Sequence, residues 1–138
     1  MPSLPNYRPK QMSLGPLERE ILNIVWDLHT VAVKDVHQRI LLDPNRELAY
    51  TSVTTVLKRL TEKGWLACES QGKIHHWQAL ITREQANALN AYNQLNQFLN
   101  ISNPDLVVAF ADNLDQTSLD KLDAIAQRLK DLRAARGE

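Results

Sequence analysis

The stretch Leu48-Ala-Tyr-Thr-Ser-Val-Thr-Thr-Val-Leu-Lys-Arg-Leu-Thr-Glu-Lys-Gly64 constrains this chain more than any other. Val53, Val56, Leu57 and Leu60 recur at three- and four-residue intervals, which places them on one stripe of an α-helix. At about 100° per residue the opposite face carries Thr51, Thr55, Lys58 and Glu62, flanked by Ser52, Thr54 and Arg59. A face that meets only water is normally built of Glu, Lys and Gln, whereas Thr is a poor helix former. Hydroxyls at Thr51, Ser52, Thr54 and Thr55 ahead of a Lys-Arg pair suit a surface that lies flush against something rich in acceptors. Short hydroxyls allow close approach to phosphates or base edges, and the two cations add charge. Gly64 marks the C-terminal boundary of the helix. The stretch reads as a DNA-recognition helix, and the rest of the chain as what positions it.

Two shorter helices precede it. The first starts near Gly15-Pro16, with proline in the first turn and Glu18 and Glu20 complementing the helix dipole. Leu17, Ile21, Ile24, Val25 and Leu28 form its inward stripe, with Trp26 on the flank as a packing residue. After a break at His29-Thr30 the second helix runs from about Val33 to Leu42, with Val33, Val36, Ile40 and Leu41 inward. Asp43-Pro44-Asn45 stops it as a turn. Two short helices, a tight connection and a third helix with a polar face make a helix-turn-helix. Past Gly64 the period drops to 2, and Trp65–Glu69 and Ile74–Leu80 read as a β-hairpin around Gly72. A hairpin in that place is the wing of a winged helix, its tip at Gln71-Gly72-Lys73 with Lys73 suited to a phosphate and Trp77 in the core.

From Thr82, a candidate N-cap, the pattern is helical again through Ala86, Leu89, Ala91, Leu95, Phe98 and Leu99, with many Asn and Gln between. Asn103-Pro104 interrupts it, Leu106–Phe110 reads as a short buried segment, and Ser118 is the candidate cap of a last helix. Leu119, Leu122, Ile125, Ala126, Leu129 and Leu132 share one face of that helix. These stripes exceed what a small winged helix can cover, so a second copy is the expected cover. The dimerisation residues are then Leu95, Phe98, Leu99, Val107, Phe110, Leu119, Leu122, Ile125 and Leu129; a self-packed helical subdomain is the competing reading. The fold class is mostly α with a small β-hairpin wing. Residues 1–12, with three prolines, form a flexible arm, 13–81 the winged helix-turn-helix, and 82–138 the helical dimerisation region. Arg8 and Lys10 of the arm either touch a DNA backbone or are simply solvated.

Composition excludes several classes. An apolar content of 43% supports a core, yet no apolar run approaches the roughly 18 residues of a membrane span, and the N-terminus lacks a signal-peptide core. A cytoplasmic location follows, in keeping with a single cysteine, Cys68. Residues 1–80 hold 10 Lys/Arg against 8 Asp/Glu and residues 81–138 hold 6 against 8, too mild an asymmetry to identify a nucleic-acid binder alone. Cys68 faces His75 or His76 across the hairpin, but one thiol and two adjacent imidazoles fall short of a structural zinc site, and packing is the plainer role. His29 and His37 read as ordinary surface or turn residues. With no phosphate loop, Gly-x-Ser-x-Gly or His-Glu-x-x-His motif, no catalytic residues, metal or cofactor are expected.

Glu18–Trp26, Val33–His37, Arg46–Leu60 and Glu62–Gly64 together resemble the BlaI/MecI family of transcriptional repressors, in the same order over about residues 14–135. The resemblance implies a homodimeric winged-helix protein that binds dyad-symmetric operators and represses the adjoining genes. In antibiotic-responsive members a membrane-bound sensor triggers cleavage between an Asn and a Phe in the dimerisation region. Here the matching pair is Ala109-Phe110, which counts against induction by the same proteolysis and leaves a sensor protease open as a partner. Copper-responsive relatives carry Cys-x-Cys pairs near the C-terminus, and residues 128–138 contain no cysteine. The DNA contacts expected are Thr51, Ser52, Thr55 and Lys58 in the major groove, with Thr54, Arg59 and Lys73 on the backbone. A winged helix used for protein interaction, or a regulator that both activates and represses, stays open on the sequence alone.

Overall fold

Hydrophobic stripes of three helices meet over one face of a small sheet. The computed structural model describes residues 4–101 and 103–137. In chain order the elements are α1 (Pro16–Leu28), β1 (Thr30–Val31), α2 (Val33–Ile40), α3 (Tyr50–Glu62), β2 (Leu66–Gln71), β3 (Ile74–Ala79), α4 (Arg83–Ile101), α5 (Pro104–Asn113) and α6 (Gln116–Ala135). They fall into two compact units that divide after Gln94, inside α4 rather than ahead of it at Thr82.

In the first unit Ile21, Leu22 and Val25 of α1, Val36 of α2, and Val53, Leu57 and Leu60 of α3 are fully buried. Trp65, Leu66 and Trp77 close the core from the sheet, and Ala86 and Leu89 of α4 complete it. The sheet is antiparallel in the order β1-β3-β2, so the wing is the β2–β3 hairpin with β1 added at its edge. This is the winged-helix arrangement. Strand β1 was not expected: Thr30 and Val31 pair with Gln78 and Trp77, where only a break was read. A two-residue strand has no periodicity of its own and exists because β3 presents a free edge to it.

Local chemistry explains the element ends. Helix α2 stops at Ile40, short of the expected Leu42, because Asp43-Pro44 disfavours helix just before the proline. Leu41 is therefore exposed, not inward, and Leu42 is 75% exposed. Helix α3 ends in a Schellman turn: Gly64 N–H donates to the Thr61 carbonyl (3.1 Å) and Trp65 N–H to that of Leu60 (2.9 Å). Gly64 has φ +89°, and a Cβ there would lie 3.0 Å from the Lys10 nitrogen and the Tyr7 hydroxyl. At α4, Thr82 Oγ1 accepts from Gln85 N–H (3.1 Å) while Gln85 Oε1 accepts from Thr82 N–H (2.9 Å), a reciprocal cap.

The N-terminal segment differs from the flexible arm expected. Tyr7 donates its hydroxyl to the Gly64 carbonyl (2.7 Å), Pro9 is buried, and the Gln11 carbonyl accepts from Trp65 Nε1 (2.9 Å). Arg8 sits over the Tyr92 ring at 5.5 Å. Glu18 lies in the first turn of α1 as expected, and it is only 7% exposed. It bonds Lys63 (2.8 Å) and accepts from Gly15 N–H (3.1 Å).

The second unit holds the end of α4 together with α5 and α6. Residues 104–113 form a helix whose described side chains are exposed, and not the short buried segment expected. Asn103-Pro104, which reads as a break, is also a helix start: Asn103 Oδ1 accepts from Leu106 N–H (3.0 Å) and Pro104 occupies the first position. The cap of α6 is Asp115, whose side chain accepts from Ser118 N–H (2.8 Å); Ser118 itself lies in the first turn. Phe98 and Phe110 pack ring to ring at 5.7 Å. None of the described side chains of α6 is buried.

The Glu18–Lys63 pair ties the start of α1 to the end of α3. Burial pushes the Glu18 carboxyl up, but the Lys63 ammonium, the Gly15 N–H and the charge of Arg59 outweigh it and hold the group below its ordinary 4.5. A carboxyl whose folded pKa is depressed stabilises the fold above its unfolded pKa and loses that contribution as pH falls through the folded value. Glu18→Gln is expected to lower stability by about 1–2 kcal/mol at pH 7. The gap to the unmodified protein should close as pH falls through 4.5 and below. Urea unfolding at several pH values checks this, and a gap independent of pH would mean that the charge contributes nothing.

Candidate nucleic-acid interface

Helix α3 buries Val53, Val56, Leu57 and Leu60, and so turns the hydroxyl-and-cation face outward. Thr51, Thr55, Lys58 and Arg59 are exposed; Ser52 and Thr54 are half-buried. Two hydroxyls are oriented more narrowly than the sequence suggests. Thr54 Oγ1 donates to the Tyr50 carbonyl (3.3 Å) and Thr55 Oγ1 to that of Thr51 (3.0 Å). With their protons committed to the preceding turn, these residues offer solvent an oxygen acceptor and a methyl group. A phosphate needs a donor, so in this rotamer Thr54 is not the phosphate contact expected. Its outward chemistry suits the amino groups of adenine or cytosine, or a thymine methyl.

The wing brings Lys73 to the same side. Strands β2 and β3 are joined through Gly72-Lys73, with Gln71 paired to Ile74. Gly72 has φ +66°, the left-handed backbone that so short a hairpin connection requires. Between the wing and α3 lies a groove of about 650 Å³ whose walls include Tyr50, Thr54, Lys58, Lys73, Cys68 and Trp77. Thr54, Lys58 and Lys73 thus come together from two elements. Thr51, Ser52, Thr55 and Arg59 lie outside the groove, and the charge of Arg59 acts on Glu18.

Two contributors were missed. Tyr50, at the first position of α3, is 50% exposed and lines the groove. His37 is no ordinary surface residue: its Nε2 lies 2.8 Å from the Leu48 carbonyl, and its ring meets that of Tyr50 edge to face. Tyr50 is legible as an aromatic at the start of a recognition helix, where burial would be the default reading; nothing local betrays His37. Arg46 holds the same connection by a bidentate pair with Glu20 (2.8 and 2.9 Å).

Other expected sites fall out differently. Cys68 is opposite Trp77, not a histidine; His75 is opposite Ser70, which it meets at 2.7 Å, and His76 is opposite Glu69. Cys68 is also exposed, which overturns the buried-packing role. Among the described residues no group of three or more His, Cys, Asp or Glu converges as a metal site, and no helix is long and apolar enough to cross a membrane. Ala109 and Phe110 are exposed within α5, where Ala109 O accepts from Asn113 Nδ2 (2.9 Å). Of the residues expected to dimerise, Leu95, Phe98, Leu99, Phe110, Leu122, Ile125 and Leu129 are exposed and Leu119 is half-buried. The side chain of Val107 lies outside the described residues.

Comparison with known proteins agrees with the sequence resemblance. The profile of the penicillinase repressor family matches residues 14–131. The transcriptional regulator BlaI of Mycobacterium tuberculosis is 28% identical over 129 residues, which cover 93% of this chain and 91% of that protein. A 16.5 kDa protein of Latilactobacillus sakei is 30% identical over 119 residues, covering 86% of this chain and 78% of its own. Among solved structures, the DNA-binding domain of the repressor BlaI covers 56% of this chain and 93% of its own, with 19% identity and a TM-score of 0.47. The chain belongs to the penicillinase repressor family, a family of transcriptional repressors and not of enzymes.

Proposed function

We propose that this chain is a homodimeric repressor that binds a dyad-symmetric DNA operator through α3 and the wing. The observation that supports this best is the outward face of α3, where hydroxyl, methyl and lysine chemistry replaces an ordinary solvated surface and is continued by Lys73 across the groove. Membership of a repressor family gives the sign of the regulation. Thr51, Ser52, Thr55 and Lys58 enter the major groove, now joined by Thr54 as an acceptor and methyl contact, while Arg59 and Lys73 neutralise phosphates.

Two such modules read two half-sites, and linkage raises affinity through effective concentration. The exposed apolar residues of α4, α5 and α6 are the natural cover for a second copy: Leu122, Ile125, Leu129 and Leu132 recur at helical spacing on α6. Release by a protease acting between Ala109 and Phe110 is not part of this reading. Both residues lie inside a helix, and Ala109 stands where antibiotic-responsive relatives have Asn.

Fluorescence polarisation of the purified protein on its own upstream DNA, at several salt concentrations, tests the proposal. Operator DNA should be held at least roughly 10³-fold more tightly than random DNA of equal length, with a steep salt slope. Lys73→Ala should weaken binding and reduce that slope by about 1; an unchanged slope removes Lys73 from the phosphate contacts. Equal, weak binding to upstream DNA, random DNA and the products of a selection from a random library would overturn the reading.

Dimerisation has its own test. Leu122→Asp places a charge in the proposed apolar interface and should yield monomers in sedimentation velocity, with operator affinity reduced about 10²-fold or more. A dimer that persists would put the interface elsewhere.

A further inference from the structure

We propose that Tyr50 reads DNA bases at the leading end of α3 and that His37 is the residue that positions it. The inference rests on the DNA-binding reading above and extends it to two side chains outside the hydroxyl-and-lysine set.

Tyr50 is the first residue of α3, and with Thr54 and Lys58 it forms a row at four-residue spacing along the helix flank that faces the wing. The N-terminal residues of a recognition helix are the ones that reach base edges. Half of this aromatic surface is open to solvent although the core lies next to it. Such a ring would ordinarily sample several rotamers, which would dilute any discrimination by shape.

His37 restricts that sampling. Its ring meets the Tyr50 ring edge to face, with centroids 5.5 Å apart and planes at 78°. The same imidazole bonds the Leu48 carbonyl at 2.8 Å; a carbonyl only accepts, so His37 carries a proton on Nε2 and donates. One side chain thus holds both the backbone two residues ahead of Tyr50 and the Tyr50 ring. The hold matters because Ala49, at the N-cap, offers α3 no side-chain cap. His37 itself is anchored through α2, whose Val33, Val36 and Ile40 are in the core.

The result is a rigid, partly apolar plate at the rim of the groove. Its chemistry suits packing of the ring against a thymine methyl, the one apolar group that the major groove presents. The ring, and not the hydroxyl, is then the reading group.

The test uses the full chain and an operator found in its upstream DNA or by selection from a random library. Tyr50→Ala should lower the ratio of operator to random-DNA affinity about tenfold or more, leaving random-DNA binding and the salt slope unchanged. Tyr50→Phe should keep the ratio within about threefold, as expected when the ring reads; a loss equal to that of Tyr50→Ala overturns reading by the ring. His37→Ala should lower the ratio in the unmodified chain but add little to Tyr50→Ala, because positioning acts only through the residue positioned. A purely structural His37 would lower the unfolding midpoint, weaken binding to both DNAs alike and add in full to Tyr50→Ala; that pattern overturns the positioning role. An unchanged ratio for Tyr50→Ala overturns the proposal while the DNA-binding reading stands. Failure of the unmodified chain to prefer any DNA removes both.

Discussion

Gly64 is the residue at which two directions of the chain have to be reconciled. The recognition helix must end, and the wing must start at an angle that brings Lys73 back beside Lys58. The Schellman turn does this with two hydrogen bonds and a left-handed residue, while the residues it joins, Leu60 and Trp65, are both buried. The same glycine is approached from outside by the N-terminal segment, with the Tyr7 hydroxyl on its carbonyl and the Lys10 backbone nitrogen 3.0 Å from where a Cβ would stand. Lys63, one residue earlier, reaches Glu18 at the start of α1. Helix end, wing, N-terminal segment and first helix are therefore mutually braced at a single turn, so the orientation of α3 to the wing is a property of the whole first unit.

That bracing separates what was legible in the sequence from what was not. The buried stripe of α3, the start of α1 at Gly15-Pro16 and the β2–β3 hairpin follow from periodicity and turn chemistry that act within about ten residues. The misses are contacts made over long separations. Strand β1 exists because β3 lends it an edge, 48 positions away in the Thr30–Gln78 pairing. Glu18 reads as a dipole-complementing acid, and its pairing with Lys63, 45 residues on, is not visible locally. The proline-rich start reads as a tail because the contacts of Tyr7 and Gln11 that pin it, to Gly64 and Trp65, reach more than fifty residues on. Asn103-Pro104 shows a different limit: the same dipeptide that ends one helix begins the next, and local chemistry does not say which is meant.

The recognition face repeats this division. Its residue types were readable, but the direction of its hydrogen bonds was not. Thr54 and Thr55 turn their protons inward because a helical threonine can bond the carbonyl one turn back. That single choice makes both residues outward acceptors and methyl contacts, and in the proposed complex it leaves the backbone of the DNA to Arg59 and Lys73. A face organised in this way has few cations, which accords with the neutral net charge of the chain. Discrimination then depends on how accurately α3 is aimed, and the contacts of His37 and Arg46 on the preceding connection bear on that aim directly.

The second unit obeys a different constraint. An isolated helix of about 20 residues gains little from propensity alone; most helical stability in proteins comes from burying an apolar face. Helix α6 buries none of its described side chains, and Leu95 and Leu99 of α4 are likewise exposed. In the proposed dimer the folding of this unit and the association of two chains become one equilibrium, so its stability depends on protomer concentration. The first unit has a core of its own and does not share that dependence. Operator affinity would accordingly be set in two places, by the aim of α3 within each protomer and by the occupancy of an apolar interface between protomers. A signal that acts on the interface alone could release DNA without touching a single residue of the recognition face.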